Sequence, residues 1–339
     1  MKYATELSKS MVEIIDYAGL FPPAALASGD AINEFFAQSK DAELNWLFRR
    51  FVLPFAPVPR CQEIIAGLRQ AAGEAGKNTL PDSWGGGVPV SVLLPSLEAS
   101  KLDNFADLGA LGAALASAAS SFQNGLQLMR EAAKSEEMIF AVEAVEWALP
   151  LDDERWNQQH TVEAQGALRA MRDLVPNLKI YIEASWQNWS PGLLSRMKDL
   201  VCEDALTFCK IRTGGLAAAS IPPSPALARV LSDLVAADIG FKCTAGLHSA
   251  LFETSPRFGF DMHGFVNLIC ATAGLSAGLK ERDIVPLLAL RRADQLMDRL
   301  EEKLGSATGA ALARARHFMH SFGSCSVSEP RDSLKLIGI

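Results

Sequence analysis

Eight short apolar runs, each followed by a helical pattern, constrain this chain more than any other feature. They end near residues 16, 55, 94, 143, 183, 212, 245 and 325. Most are β-prone stretches of four to eight residues closed by a charge, a glycine or a proline, which is the signature of a buried strand. About thirty to fifty residues separate them, enough for one crossover helix each, except in the last gap, which holds extra helices, so parallel pairing is expected. Alternation of strand and helix eight times is the pattern of a (β/α)₈ TIM barrel, an α/β fold. An open doubly wound sheet is the competitor, but no G-x-G-x-x-G follows the first strand.

The best-defined unit spans Leu206 to His248. The run Leu206–Gly215 and the run Ile239–His248 flank an alanine- and leucine-rich helix predicted over about Pro223 to Ala237. Side chains alternate along a strand, so Phe208, Lys210 and Arg212 share one face, and Cys209 and Ile211 the other. In the next strand Lys242 shares a face with Gly240 and Thr244. With the apolar faces against helices, both lysines point to the other side, into a barrel or a cleft. Two amines close together in a partly dry site repel each other's charge, and an unprotonated lysine is what Schiff-base chemistry needs.

In a barrel the active site lies at the C-terminal ends of the strands. Asp16, Glu143, Glu183, Lys210, Arg212 and Lys242 all sit near the end of their runs. Charges of both signs on five strands point to a shared polar site rather than to separate solvated faces. His248 follows the Thr244-Ala-Gly246 turn and reads as an acid, a base or a structural loop histidine. Gly323-Ser-Cys-Ser326 suggests a cysteine nucleophile at Cys325, but the sequence assigns it no neighbouring histidine. Trp84-Gly-Gly-Gly87 reads as a linker or a mobile lid. Helices are expected over Asp103–Ser121, Gln123–Lys134, Thr161–Leu174, Met262–Ala273, Asp283–Leu304 and Ala307–Met319. In the fifth of these, Pro286 falls in the first turn.

Composition sets outer bounds. The 339 residues, 49% hydrophobic and 21% charged, suffice for one large barrel domain over 1–339, with a helical insertion of about 250–318 between the last two strands. A net charge of −7 and a pI near 5.4 argue against nucleic acid or an anionic membrane as partner. Six cysteines without CxxC or metal-ligand spacing fit buried thiols in a reducing, cytoplasmic setting. Neither a signal peptide nor an apolar run of about eighteen residues is evident.

The order of these pieces resembles the deoxyribose-phosphate aldolase family, class I aldolases on a (β/α)₈ barrel. The resemblance rests on Ile15-Asp-Tyr-Ala-Gly-Leu-Phe21, Val142-Glu-Ala-Val145, Leu178-Lys-Ile-Tyr-Ile-Glu183, Phe208-Cys-Lys-Ile-Arg-Thr-Gly214, Gly240-Phe-Lys-Cys-Thr-Ala-Gly246 and Phe322-Gly-Ser-Cys-Ser326. It implies that Lys210 forms an imine and that Lys242 lowers its pKa. It also implies that Glu143 moves protons and that Asp16 belongs to the catalytic set. Gly214, Gly215, Gly246 and the amides of Gly323, Ser324 and the two residues after them would hold a phosphate at a helix N-terminus. Arg212, Glu183 and His248 would complete substrate binding. Two departures stand out. Glu143 replaces an aspartate, and Arg212 replaces a small hydroxyl residue, which favours a more anionic substrate. The resulting expectation is a Schiff-base lyase acting on a phosphorylated or carboxylated aldehyde or ketone, with no cofactor and no metal, and self-association into a homodimer left open. A non-catalytic anion-binding barrel is the alternative. A divalent ion held by Asp16, Glu143 and Glu183 is disfavoured by the cations beside them.

Overall fold

A computed structural model describes residues 3–41, 43–55, 58–75, 81–84, 87–97, 113–115, 117, 120, 122–127, 139–201 and 206–339. Most of the helices expected over Asp103–Ser121 and Gln123–Lys134 lie outside these residues. So do Gly85 and Gly86 of the lid candidate, and Cys202. Eight parallel strands form a closed barrel: β1 (Ile15–Tyr17), β2 (Phe48–Pro54), β3 (Gly87–Leu93), β4 (Ile139–Ala148), β5 (Lys179–Ala184), β6 (Thr207–Arg212), β7 (Phe241–Thr244) and β10 (Met319–Ser324). β8 (Glu253–Thr254) and β9 (Asp261–Met262) make a separate antiparallel hairpin. The fold is therefore a (β/α)₈ barrel with an insertion between its last two strands. Among the described residues no helix is long and apolar enough to cross a membrane.

By internal contacts the chain divides into two compact units, one of Met1–Ala25, Ala42–Arg49 and Ile211–Ile339, the other of Leu26–Asp41 and Arg50–Lys210. In the first, β10 lies between β1 and β7, with Asp16 opposite Gly323 and Ser321 opposite Lys242. The helix Ser224–Ala236 follows Pro223 and buries Leu227, Ala228, Val230, Leu231 and Leu234, the three-to-four spacing of one apolar stripe. The insertion centres on the helix Phe265–Ser276, buried along almost its whole length, with Phe265 stacked on Phe322 of β10 at 4.8 Å.

One expected helix is divided. Over Asp283–Leu304 the chain instead forms Glu281–Ile284, a 3₁₀ turn Leu287–Ala289 and, after extended backbone at Leu290 and Arg292, the helix Ala293–Leu304. Pro286 brings no amide hydrogen, and its ring crowds the carbonyl four residues back. Buried Asn267 completes the break, its Nδ2 donating to the carbonyls of Leu287 and Leu290 at 2.7 and 2.9 Å. The N-terminal helix Ala4–Met11 is an element the sequence reading lacks.

In the second unit β3 pairs with β2 and β4, and β4 with β5. Phe35, from the helix Ser28–Ser39, stacks on Trp84 at 5.1 Å and meets Phe51 edge-on at 5.4 Å. The helix Gln158–Leu174 opens on a capping box in which Asn157 Oδ1 accepts from the Gln159 and His160 amides, and the His160 ring accepts from the Asn157 amide.

Two glycines give opposite expectations. A Cβ on Gly214 would stand 2.8 Å from both the Ala245 carbonyl oxygen and the Gly246 Cα, which are backbone atoms that cannot swing away, whereas one on Gly166 meets nothing within 4 Å. Gly214→Ala should therefore destabilise the protein by about 1–3 kcal/mol. Gly166→Ala, mid-helix, should stabilise it by about 0.5–1 kcal/mol. Thermal and urea unfolding of the two variants checks both signs.

Candidate active site

Among the described residues, two ionic clusters built around buried lysines stand on the strands, one in each unit. In the first, Lys242 Nζ lies 2.6 Å from Asp16 Oδ2, and the Ser321 hydroxyl donates to the same oxygen at 2.9 Å. The three residues come from adjacent strands, β7, β1 and β10, and none has measurable solvent exposure. Burying two charges costs several kcal/mol per ion, and only a short, well-partnered pair offsets that. Ser321 is the partner the sequence reading missed. As the strand neighbour of Lys242, it was detectable only from the register.

The second cluster surrounds Lys210. Its Nζ lies 3.0 Å from Glu146 Oε2 and 2.9 Å from Glu183 Oε2, and Glu146 Oε1 accepts from the Ser91 hydroxyl at 2.8 Å. The side chains of Lys210 and Glu146 are 5% and 3% exposed, that of Glu183 22%, so Glu183 is the member facing outward. Sequence reasoning looked for repulsion between cations at Lys210; the structure gives this lysine two carboxylates.

The carboxylate of β4 that reaches Lys210 is Glu146, and Glu143 is elsewhere. Val90 pairs with Val142 but Ser91 with Ala144, so Glu143 is the extra residue of a bulge. A bulge shifts the alternation of side chains by one. Glu143 forms its own pair with Arg50 at 3.0 Å, while Glu146 falls on the face of β4 that meets Ser91 and Lys210. The strand also continues to Ala148, beyond the end expected at residue 143.

The remaining candidates have more modest placements. Arg212 is exposed at the end of β6. Gly214 and Gly246, the latter with φ +77°, let the loops after β6 and β7 touch backbone to backbone, and Gly215 packs against Ser220. Thr213 fastens the two loops, its amide donating to the Thr244 carbonyl at 2.8 Å and its hydroxyl to that of Ala245 at 3.2 Å. Gly323 is buried in β10 beside Thr244. Ser324 Oγ donates to the Ser326 carbonyl and accepts from the Ser326 amide, so that amide of the expected phosphate cradle already has a partner. His248 contacts Cys325 and Glu329.

The Asp16–Lys242 pair is testable by stability alone. Asp16→Ala or Lys242→Met leaves one buried charge uncompensated and should cost about 3–5 kcal/mol in urea unfolding. The double variant Asp16→Leu/Lys242→Met should be more stable than either single one. Additive losses would mean that the two charges do not interact.

No family model matches the chain, and no curated protein does. Among solved structures it is similar to the Ignisphaera aggregans GH53 catalytic domain, at 11% identity over 88% of this chain and 76% of that one, with a TM-score of 0.41. A likeness of that depth carries no argument about chemistry.

Proposed function

We propose that the protein is a Schiff-base enzyme of the class I aldolase type, with Lys210 as the amine that attacks a carbonyl. The supporting observation is the setting of Lys210: a nearly buried amine on a barrel strand, held between Glu146 and Glu183 at 3.0 and 2.9 Å. Imine formation requires that the ammonium lose a proton, that the amine add to the carbonyl carbon, and that the resulting carbinolamine oxygen leave as water. Each transfer needs a carboxyl group within hydrogen-bond reach of the nitrogen. Glu146, fixed by Ser91, suits the role of internal base. Glu183, nearer to solvent, suits protonation of the departing oxygen. The step yields the iminium and water, with one proton taken from the ammonium by Glu146 and one delivered to the departing oxygen by Glu183.

Once formed, the iminium draws electrons from the adjacent carbon–carbon bond, which is how an amine catalyses retro-aldol cleavage. The resemblance to the deoxyribose-phosphate aldolase family supplies the substrate class, a phosphorylated or carboxylated aldehyde or ketone. A non-catalytic anion-binding barrel would use the same lysine as a fixed cation and form no covalent bond.

Borohydride reduction in the presence of a reactive aldehyde, followed by peptide mapping, separates the two. The adduct is expected on the Lys210 peptide and absent from Lys210→Ala. Glu146→Gln should slow trapping by about 10²–10⁴-fold, the usual contribution of a positioned acid–base group. An adduct confined to other lysines would remove Lys210 from the role, and no adduct with any aldehyde would favour the anion-binding barrel.

A further inference from the structure

Beyond the lysines, one group of side chains has the order of a nucleophilic triad. Cys325 Sγ lies 3.9 Å from His248 Nε2, and His248 Nδ1 lies 2.7 Å from Glu329 Oε2. The second contact is a charge contact at short range rather than an aligned hydrogen bond. His248 stands in the loop after β7, Cys325 directly follows β10, and Glu329 is in the first turn of the helix Ser328–Leu336. β7 and β10 are paired and parallel, so both loops leave from C-terminal strand ends, the end at which barrels carry their chemistry.

Local hydrogen bonds hold the parts in place. The Ser324 hydroxyl brackets Cys325 by bonding both the carbonyl and the amide of Ser326, and Ser326 Oγ accepts from the Glu329 amide at 3.2 Å. Access is graded. Cys325 is 7% exposed, the His248 side chain 17% and the Glu329 side chain 49%, so the thiol lies at the inner end of a group that opens to solvent.

We propose that Cys325, His248 and Glu329 form an acyl-accepting site, in which Cys325 is the nucleophile toward an activated acyl group such as a thioester or an ester. The Cys325 sulfur adds to the acyl carbon as the thiolate, its proton already held on His248 Nε2. The bond to the leaving group then breaks, and the His248 proton goes to the departing oxygen or sulfur. Cys325 is left as a thioester and the leaving group as its neutral alcohol or thiol. No electrons are exchanged, and no co-reactant is needed.

The electrostatics fit those roles. Burial works against the His248 imidazolium, but the close contacts and charges of Cys325 and Glu329 outweigh it and raise the ring from 6.5 to about 9. Glu329 is lowered by its close contact with His248, against the opposing effect of burial, with the charges of His248 and Arg257 adding to the lowering. A stabilised imidazolium is what keeps a neighbouring thiolate in its reactive form. Burial pushes the thiols of Cys61, Cys243 and Cys270 up to about 11, 12 and 12, and Cys209 has no exposure.

The probe is p-nitrophenyl acetate with the full chain. A burst of p-nitrophenolate approaching one per chain is expected. The acetyl group should map to the Cys325 peptide and be released by neutral hydroxylamine, which cleaves a thioester but not the amide that an acetylated lysine would carry. Cys325→Ala should lose the burst, and His248→Gln should slow it by about 10²-fold or more. Glu329→Gln should lower the upper pH limit of the burst, which wild type should hold up to about 9, whereas a merely structural Glu329 would leave that limit in place. Circular dichroism of each variant verifies folding, and Cys325→Ser replaces the alanine variant if that one unfolds. Acetylation confined to lysines, to other cysteines, or equally fast in His248→Gln overturns the proposal. Failure here leaves Lys210 trapping untouched, because the two tests read different residues and different bonds.

Discussion

Charge placed on the strands of a barrel must be neutralised there, and the fold of this chain turns on how that is done. Lys242 and Asp16 have no measurable exposure, and their 2.6 Å contact, with Ser321 on the same carboxylate oxygen, joins three consecutive strands. Replacing such pairs by apolar side chains is often neutral or stabilising in other proteins, so stability alone is a weak reason for them. Lys210 repeats the arrangement in a more open form. It meets two carboxylates, one buried with Ser91 and one nearer to solvent. A sealed pair and an open one differ in what they can do. The sealed pair holds strands together, whereas in the open one the Glu183 side chain reaches toward solvent.

Much of this was legible in the sequence, for a physical reason. The eight β-prone runs and their spacing carry the barrel, because a buried parallel strand leaves a continuous apolar signature. Lys210, Lys242, Asp16 and Glu183 were legible too, since a charge at the end of an apolar run needs a partner. Glu146 was not. Alternation counted from Phe140 and Val142 selects Glu143, and only the bulge at that residue brings Glu146 round to Lys210. A bulge is a property of pairing between strands, so a single strand's pattern does not reveal it. The divided helix around Pro286 has a similar cause. Asn267, on a different helix and 20 residues before Leu287, takes the carbonyls of Leu287 and Leu290, and no local pattern announces that contact.

Cys325 shows the same limit at longer range. Its partner His248 is 77 residues away in sequence, and their meeting depends on β7 and β10 being neighbours in the barrel. Glu329, four residues on, is placed by the helix that begins at Ser328. Nothing in a linear motif encodes that grouping, although each residue sits where a barrel concentrates its chemistry.

We propose Lys210, between Glu146 and Glu183, as the residue that bonds to a carbonyl substrate. The most direct measurement is a crystal structure of the protein reduced with borohydride in the presence of an aldehyde. Continuous density from Lys210 Nζ to the reduced carbon, with both carboxylates still beside it, is the predicted result. An unmodified Lys210 in contact with Glu146 and Glu183, with the adduct on another lysine, would contradict it.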